Sequence, residues 1–302
     1  MSDTAAAHPH AAAGVGAGLA AFVIWGVFPL YLKPLHAVPP LEVIAHRVVW
    51  SCVLVLAVMA WRGELGQLRV TLAHRGNLWR LALTATLVSI NWLIYVWAVA
   101  QGRVLETSLG YFINPLLNVL MGVVVLAERL NRRQWTAVAV ATAAVLYLSI
   151  AAGGVPWIAL ALALSFGLYG LLRKLIHVEA LPGLGAETLL LLPLAAGYLL
   201  LERLRGGGAL GHADLPIQAL LVGSGFATAT PLFLFAYAAR RIAYSTVGVL
   251  QYIAPSLQFA CGIWFFHESF ERTRAVGFGL IWIALAIYAF DGLLRARRHL
   301  GA

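Results

Sequence analysis

Apolar residues along this chain come in long runs, and charged residues gather in short clusters between them. A bilayer-crossing helix needs about 20 mainly apolar residues. Ten runs meet or approach that length: 15–32, 43–61, 81–100, 107–127, 135–152, 156–172, 186–201, 217–239, 246–266 and 275–294. Helix is the expected element in each, because lipid offers no water to satisfy open backbone groups. Gly153-Gly154-Val155-Pro156 reads as a tight turn between the fifth and sixth runs. Residues 1–14 are small and Ala-rich and are expected to form a disordered cytoplasmic tail. They hold no Lys or Arg, unlike a cleaved signal peptide. Residues 295–302 are expected to be a short cytoplasmic tail.

The pattern repeats. Glu106-Thr107-Ser108-Leu109-Gly110-Tyr111-Phe112-Ile113-Asn114-Pro115 leads through an apolar span to Glu128. Ser245-Thr246-Val247-Gly248 leads to Gln251-Tyr252-Ile253-Ala254-Pro255 and then to Glu268. Pro115 to Pro255 and Glu128 to Glu268 are both 140 positions apart, and Phe28/Phe166 and Tyr31/Tyr169 recur at 138. The chain therefore divides into a first five-helix repeat, 15–152, and a second, 153–294. Five is odd, so the second repeat enters the membrane from the opposite side. The predicted fold is an all-α membrane protein of ten transmembrane helices, built as two inverted five-helix repeats around a central cavity. Pro115 and Pro255 are the expected helix breaks, and paired breaks of this kind point to a transport site.

Composition agrees with lipid as the solvent. Of 302 residues, 62% are hydrophobic and only 11% charged, against about 25% charged in soluble domains. The net charge of +9 comes from loop clusters rather than a basic face, which argues against nucleic acid. Arg62, Arg69, Arg75, Arg80, Arg129, Arg132, Arg133, Arg173, Lys174, Arg240, Arg241, Arg295, Arg297 and Arg298 fall on one side of the predicted topology. The smaller set, Lys33, Arg103, Arg203, Arg205, Arg272 and Arg274, falls on the other. The positive-inside rule then puts both termini in the cytoplasm. Cys52 and Cys261 lie inside apolar runs and read as packing residues. Neither metal-ligand spacing nor a nucleophile motif is present, so no metal, cofactor or catalytic set is expected.

The candidate chemistry lies on polar residues within the runs. Glu42 and His46 are i, i+4 and share a helix face, with Arg47 beside it. Such residues suit proton coupling or substrate binding; the other reading is an interfacial anchor with Arg47 snorkelling. Tyr111, Asn114 and Asn118 form one stripe, and Gln251, Pro255 and Gln258 form its counterpart. These stripes line the expected cavity or, on the plainer reading, bond neighbouring helices. Trp25, Phe28, Tyr31, Asn91, Trp92, Tyr95, Phe166, Tyr169, Tyr237 and Tyr252 supply aromatic and amide surface for a ligand, or else packing and interfacial belts. Glu128 and Glu268 close their spans and are candidates for gate salt bridges. The substrate-binding set is Trp25, Tyr31, His46, Arg47, Asn91, Tyr95, Tyr111, Asn114, Asn118, Tyr169, Gln251 and Tyr252, with Glu42 and His46 the proton-coupling candidates.

Several of these stretches together resemble one family. They are Trp25-Gly26-Val27-Phe28-Pro29, His46-Arg47-Val48-Val49-Trp50-Ser51, Asn91-Trp92-Leu93, Leu109 to Leu116, Gln251 to Pro255 and Ile281 to Ile287. The chain resembles the RarD proteins, bacterial members of the EamA branch of the drug/metabolite transporter superfamily, from about residue 14 to 298. That resemblance implies ten helices, a cavity between five-helix halves and an inner-membrane permease. The family name is tied to chloramphenicol sensitivity, and superfamily relatives export amino acids and other small metabolites. The expected function is a secondary transporter exporting small metabolites, amino-acid-like compounds or drugs such as chloramphenicol by alternating access, with proton coupling as an option. Expected partners are a small-molecule substrate and the lipid bilayer, with a homodimer allowed and no nucleic acid. An uncoupled facilitator or channel, and an integral-membrane enzyme of lipid metabolism, are the alternatives.

Overall fold

The computed structural model describes residues 9–126, 131–151, 154–176, 178–239 and 250–300. Among them all regular structure is helical: eleven α-helices, one 3-10 turn and no strand. They are α1 Pro9–Leu32, α2 Pro40–Trp61, α3 Leu65–Ala73, α4 Arg75–Ala100, α5 Val104–Leu126 and α6 Arg132–Ala151. Then follow α7 Trp157–Leu175, α8 Ala180–Leu204, α9 Leu215–Ala239, α10 Ile253–Trp264 and α11 Arg272–Leu300. The 3-10 turn is Lys33–Leu35.

Among the described residues, six helices are long and apolar enough to cross a membrane: Ala12–Leu35, Pro40–Trp61, Arg75–Ala100, Arg132–Ala151, Leu181–Leu204 and Leu215–Phe235. Trp157–Arg173 and Ile253–Trp264 are shorter apolar helices. The expected spans 107–127 and 275–294 fall on α5 and α11, while part of 246–266 lies outside the described residues.

Three boundaries differ from the sequence reading. α1 starts at Pro9, inside the expected tail: proline is favoured at the first helical position and the alanines that follow are the strongest helix formers. α11 continues to Leu300 because 295–300 contains neither Gly nor Pro. α3 lies between two spans, where the short charged stretch predicts a loop. It is too short to span a bilayer, but it buries Leu68 and Thr71, one turn apart.

The expected break at Pro115 is absent. α5 runs continuously from Val104 to Leu126, as an interior proline removes one hydrogen bond and often bends a helix without ending it. Pro255 does lie at a discontinuity. Gln251 and Tyr252 form a turn, and Pro255 falls in the first turn of α10, where a missing N–H loses no intrahelical bond.

The chain forms two compact units. The first takes the beginning of α1, α5, α6, the start of α7, the end of α9, α10 and α11. Its core is Leu105, Leu109, Phe112, Ile113 and Leu116 of α5 with Ala137, Ala141, Ala144 and Leu148 of α6 and Phe278, Ile281, Ala284 and Leu285 of α11. Small residues on α6 let α11 approach closely, the usual helix-packing solution in lipid. Gly110 does the same for α5 against α7: a Cβ there would stand 2.7 Å from the Ala159 carbonyl oxygen.

The second unit takes the end of α1, α2, α3, α4, most of α7, α8 and most of α9. Here α2 lies antiparallel to α8, with Glu42 near Ala209 at one end and Met59 against Gly185 at the other. α2 buries an unbroken run from Glu42 to Val48, and three of those seven residues are Glu42, His46 and Arg47. Charge inside a membrane helix is costly and calls for specific partners.

Candidate substrate site

In the second unit Arg47 is the centre of the polar set. It is 5% exposed. Its guanidinium carbon lies 4.9 Å from the Phe28 ring centroid and 4.7 Å from the Trp92 ring. Its Nε donates to Thr228 Oγ1 at 3.0 Å. Stacking on two aromatic faces, worth about 0.5–2 kcal/mol per contact, keeps the cation inside the protein rather than snorkelled to the headgroups. Tyr31 stacks on Phe28 at 5.6 Å with rings nearly parallel, and Tyr95 flanks the same ring at 6.2 Å. The Tyr31 hydroxyl donates to the Leu220 carbonyl. Asn91 Nδ2 donates to Ser165 Oγ at 3.0 Å. Four expected residues, Tyr31, Arg47, Asn91 and Tyr95, thus gather with Phe28 and Trp92 in one unit.

His46 and Glu42 are also here, with Nε2 and Oε1 3.8 Å apart and both side chains buried. Neither ring nitrogen of His46 has a hydrogen bond among the described residues. Glu42 accepts the Ala209 N–H and so ties the start of α2 to the loop that follows α8. Its neighbour Arg47 turns the other way, toward α1, α4 and α9.

The first unit holds the remaining described candidates except Tyr169, which lies in the second. Trp25 packs on Phe22 and Phe235 with centroids 5.6 and 5.8 Å away, and its carbonyl accepts Gln258 Nε2 at 3.1 Å. Asn114 is 1% exposed, and neither its Oδ1 nor its Nδ2 has a hydrogen bond among the described residues. Ser108 Oγ donates to the Pro255 carbonyl at 2.8 Å, joining α5 to α10 across the repeat. Tyr252, Phe112, Ser256 and Trp282 line an open, largely apolar groove of about 420 Å³. Tyr111 and Gln251 are half-buried. The side chains of Pro115 and Asn118, and Glu128 entirely, lie outside the described residues.

Glu268 has a more definite environment than the expected salt bridge. After α10, His267 takes a positive φ of 53°, singular among described non-glycine residues, and Glu268 N–H returns to the Gly262 carbonyl at 3.0 Å. This turn aims the carboxylate at the N-terminus of α5. Oε1 accepts the N–H of Val104 and, at 3.1 Å, that of Leu105. Arg274 Nη1 is 4.0 Å from Oε2. A helix N-terminus has spare N–H groups and a positive dipole end, so a carboxylate suits it. Burial pushes the Glu268 carboxyl up to about 7; the two amides and Arg274 oppose this, and Glu106 adds to it.

Comparison with known proteins places this geometry in a family. Residues 12–150 match the EamA-like transporter family. Protein RarD of Streptomyces exfoliatus is 44% identical over 285 residues, covering 93% of this chain and 89% of that protein. An uncharacterized transporter of Vibrio cholerae is 44% identical over 281 residues, covering 93% of each. The chain belongs to the RarD family of EamA-like transporters. A crystal structure of 19% identity superposes with a TM-score of 0.62 over 92% of this chain and 98% of that one, so the fold exists in a solved protein. This RarD-family chain is a multi-pass membrane protein of a transporter family.

The sequence reading does not mark three buried polar groups of the RarD-family chain, of which Glu187 is the charged one. Glu187 of α8 is 2% exposed. It accepts Thr84 Oγ1 at 2.7 Å and the Tyr169 hydroxyl at 3.4 Å, and it faces Arg173 at 3.7 Å. Tyr169 was singled out for its repeat relation to Tyr31; its carboxylate partner was not. The signal was present: Glu187 is an acid at the edge of an otherwise apolar run. Thr228 and Ser165 were missed because hydroxyl residues in apolar runs are common and seldom diagnostic.

Proposed function

We propose that this RarD-family protein is a secondary transporter that exports small amphipathic metabolites, amino-acid-like compounds or drugs such as chloramphenicol. It works by alternating access between two inverted five-helix repeats, ten spans in all, around a central cavity. Its place is the bacterial inner membrane, with both termini cytoplasmic. The observation that carries the reading is Arg47: a buried guanidinium held between Phe28 and Trp92 in a membrane helix. Such a charge in a transporter-family chain marks the path of a substrate or ion. The aromatic faces beside it suit a ligand with a flat apolar part and a polar end. Asn114, buried without a hydrogen bond among the described residues, supports a polar ligand contact within the first unit. Trp25, Tyr31, His46, Asn91, Tyr95, Tyr111, Asn118, Tyr169, Gln251 and Tyr252 complete the proposed binding set, with Glu42 and His46 the proposed proton carriers.

The test is uptake into proteoliposomes of purified protein, with and without a pH gradient, against chloramphenicol, aromatic and basic amino acids and small amines. Saturable uptake with counterflow is expected. Arg47→Gln, and Asn114→Leu with Gln251→Leu, are expected to lower it about tenfold or more, equivalent to roughly 1.4 kcal/mol of lost interaction. Flux without saturation or counterflow would make the protein a pore, and a new covalent product would make it an enzyme. Gradient-driven uptake that survives Glu42→Gln removes Glu42 from coupling.

A further inference from the structure

Glu187 has no role in the function proposed above, yet it is the most completely enclosed carboxylate of the second unit. It lies seven residues into α8, about 10 Å along the helix at 1.5 Å per residue. Membrane carboxylates at such depth are rare and carry function by default. The side chains around it come from α4 and α7: Thr84, Tyr169 and Arg173. On the side of α2 and α3, Gly185 meets Met59, Val55 and Leu68, and Thr188 faces Cys52. Arg173 is therefore the charged group, and Tyr169 the titratable one, that confront the carboxyl.

Thr84 is the informative neighbour. Its Oγ1 stands 2.7 Å from Glu187 Oε1 and 3.0 Å from the Leu81 carbonyl oxygen. A threonine hydroxyl has one proton and two lone pairs, so it donates to one of these oxygens at a time. Against an ionised Glu187 it donates to Oε1. Against a protonated Glu187 it donates to Leu81 and accepts the carboxyl proton on a lone pair. Both protonation states find hydrogen bonds with every heavy atom in place.

Arg173 completes the device. A locked buried pair is bidentate at about 2.7–2.9 Å. Here Nη1 is 3.7 Å from Oε1 and has no hydrogen bond among the described residues. Gly183, one turn before Glu187, leaves the room: a Cβ there would overlap the guanidinium. Breaking a buried ion pair is costly because one charge is stranded, and protonating Glu187 removes that penalty. The guanidinium also disfavours a metal cation at the same carboxylate.

We infer that Glu187, with Thr84, Tyr169 and Arg173, is a reversible proton-binding site inside the second unit. Glu187 takes a proton from water as Arg173 withdraws, and returns it to water as Arg173 closes. As the coupling site of a transporter this rests on the function proposed above; as a proton-binding site it does not.

The experiment uses full-length protein in liposomes. Infrared titration reads the carbonyl stretch of protonated carboxyl groups in wild type, Glu187→Gln and Thr84→Val. Dicyclohexylcarbodiimide, which attacks protonated carboxyls in apolar surroundings, is mapped by mass spectrometry on the wild type. A band lost in Glu187→Gln, a moved midpoint in Thr84→Val and an acid-enhanced adduct on Glu187 are expected. Adduct formation that bypasses Glu187 or ignores pH overturns the site, and this arm needs no variant to fold. Identical infrared titrations of wild type and Glu187→Gln overturn it too. Saturable transport with no titration of Glu187 sinks this inference and leaves the transporter. Titration of Glu187 with no transport of any compound does the reverse.

Discussion

Glu268 shows how one side chain draws its chemistry from distant backbone. Its carboxylate caps a helix that begins more than 160 residues earlier in the chain, and burial raises its pKa to about 7 from 4.5. A raised acid pKa means the folded protein binds this proton more tightly than the unfolded chain does. Stability from this group is then full below about pH 4.5 and declines as pH rises through about 7. Glu268→Gln, which copies the protonated acid in shape, is expected to flatten that slope. Melting temperature across pH 5–8, compared between wild type and variant, checks it; parallel slopes would exclude Glu268 as the cause. Arg47 teaches the same lesson. Its position in an apolar run was legible, whereas the rings that enclose it are contributed by α1 and α4.

At the scale of elements, periodicity and apolar length located most helices. They failed where the outcome turns on packing or on a local backbone choice. α3 escaped notice because a nine-residue helix carries no span-length signal. Pro115 and Pro255 look equivalent as repeat mates, yet one lies within a continuous helix and the other in a first turn. Proline sets only which bond is missing; the neighbours decide whether the helix continues. Gly110 is the element-scale determinant that the repeat pattern rightly marked. Gly110→Ala would press a methyl into the backbone of α7 at Ala159. Overpacking of that kind costs about 1–3 kcal/mol. A lowered melting temperature in detergent is expected, with Gly279→Ala, which meets open space, as the control that keeps or raises the wild-type value.

For the whole molecule, the two compact units do not coincide with the two sequence halves. Each unit draws helices from both sides of position 153, and α1, α7 and α9 each contribute to both units. The ten-span inverted topology makes a clear prediction. In a background without Cys52 and Cys261, single cysteines at Glu64 and at Asp214 should react with an impermeant thiol reagent from opposite faces of the membrane. Reporters at both termini should read cytoplasmic. Termini on opposite faces would require an odd number of spans and defeat the inverted repeat.

The sequence by itself determined that lipid solvates this chain, that its elements are helices, that polar marks recur in two halves, and which family it resembles. These depend on composition, run length and spacing along one dimension, which the sequence displays directly. Only the tertiary structure decided the partners: Thr228 and two aromatic rings for Arg47, the α5 amides for Glu268, Thr84 and Arg173 for Glu187. Helical periodicity assigns a residue to a face, but which face of which other helix it meets depends on how close small residues such as Gly110 and Gly225 let the helices come. That is why the acids and the arginine could be found in the sequence while their chemistry could not.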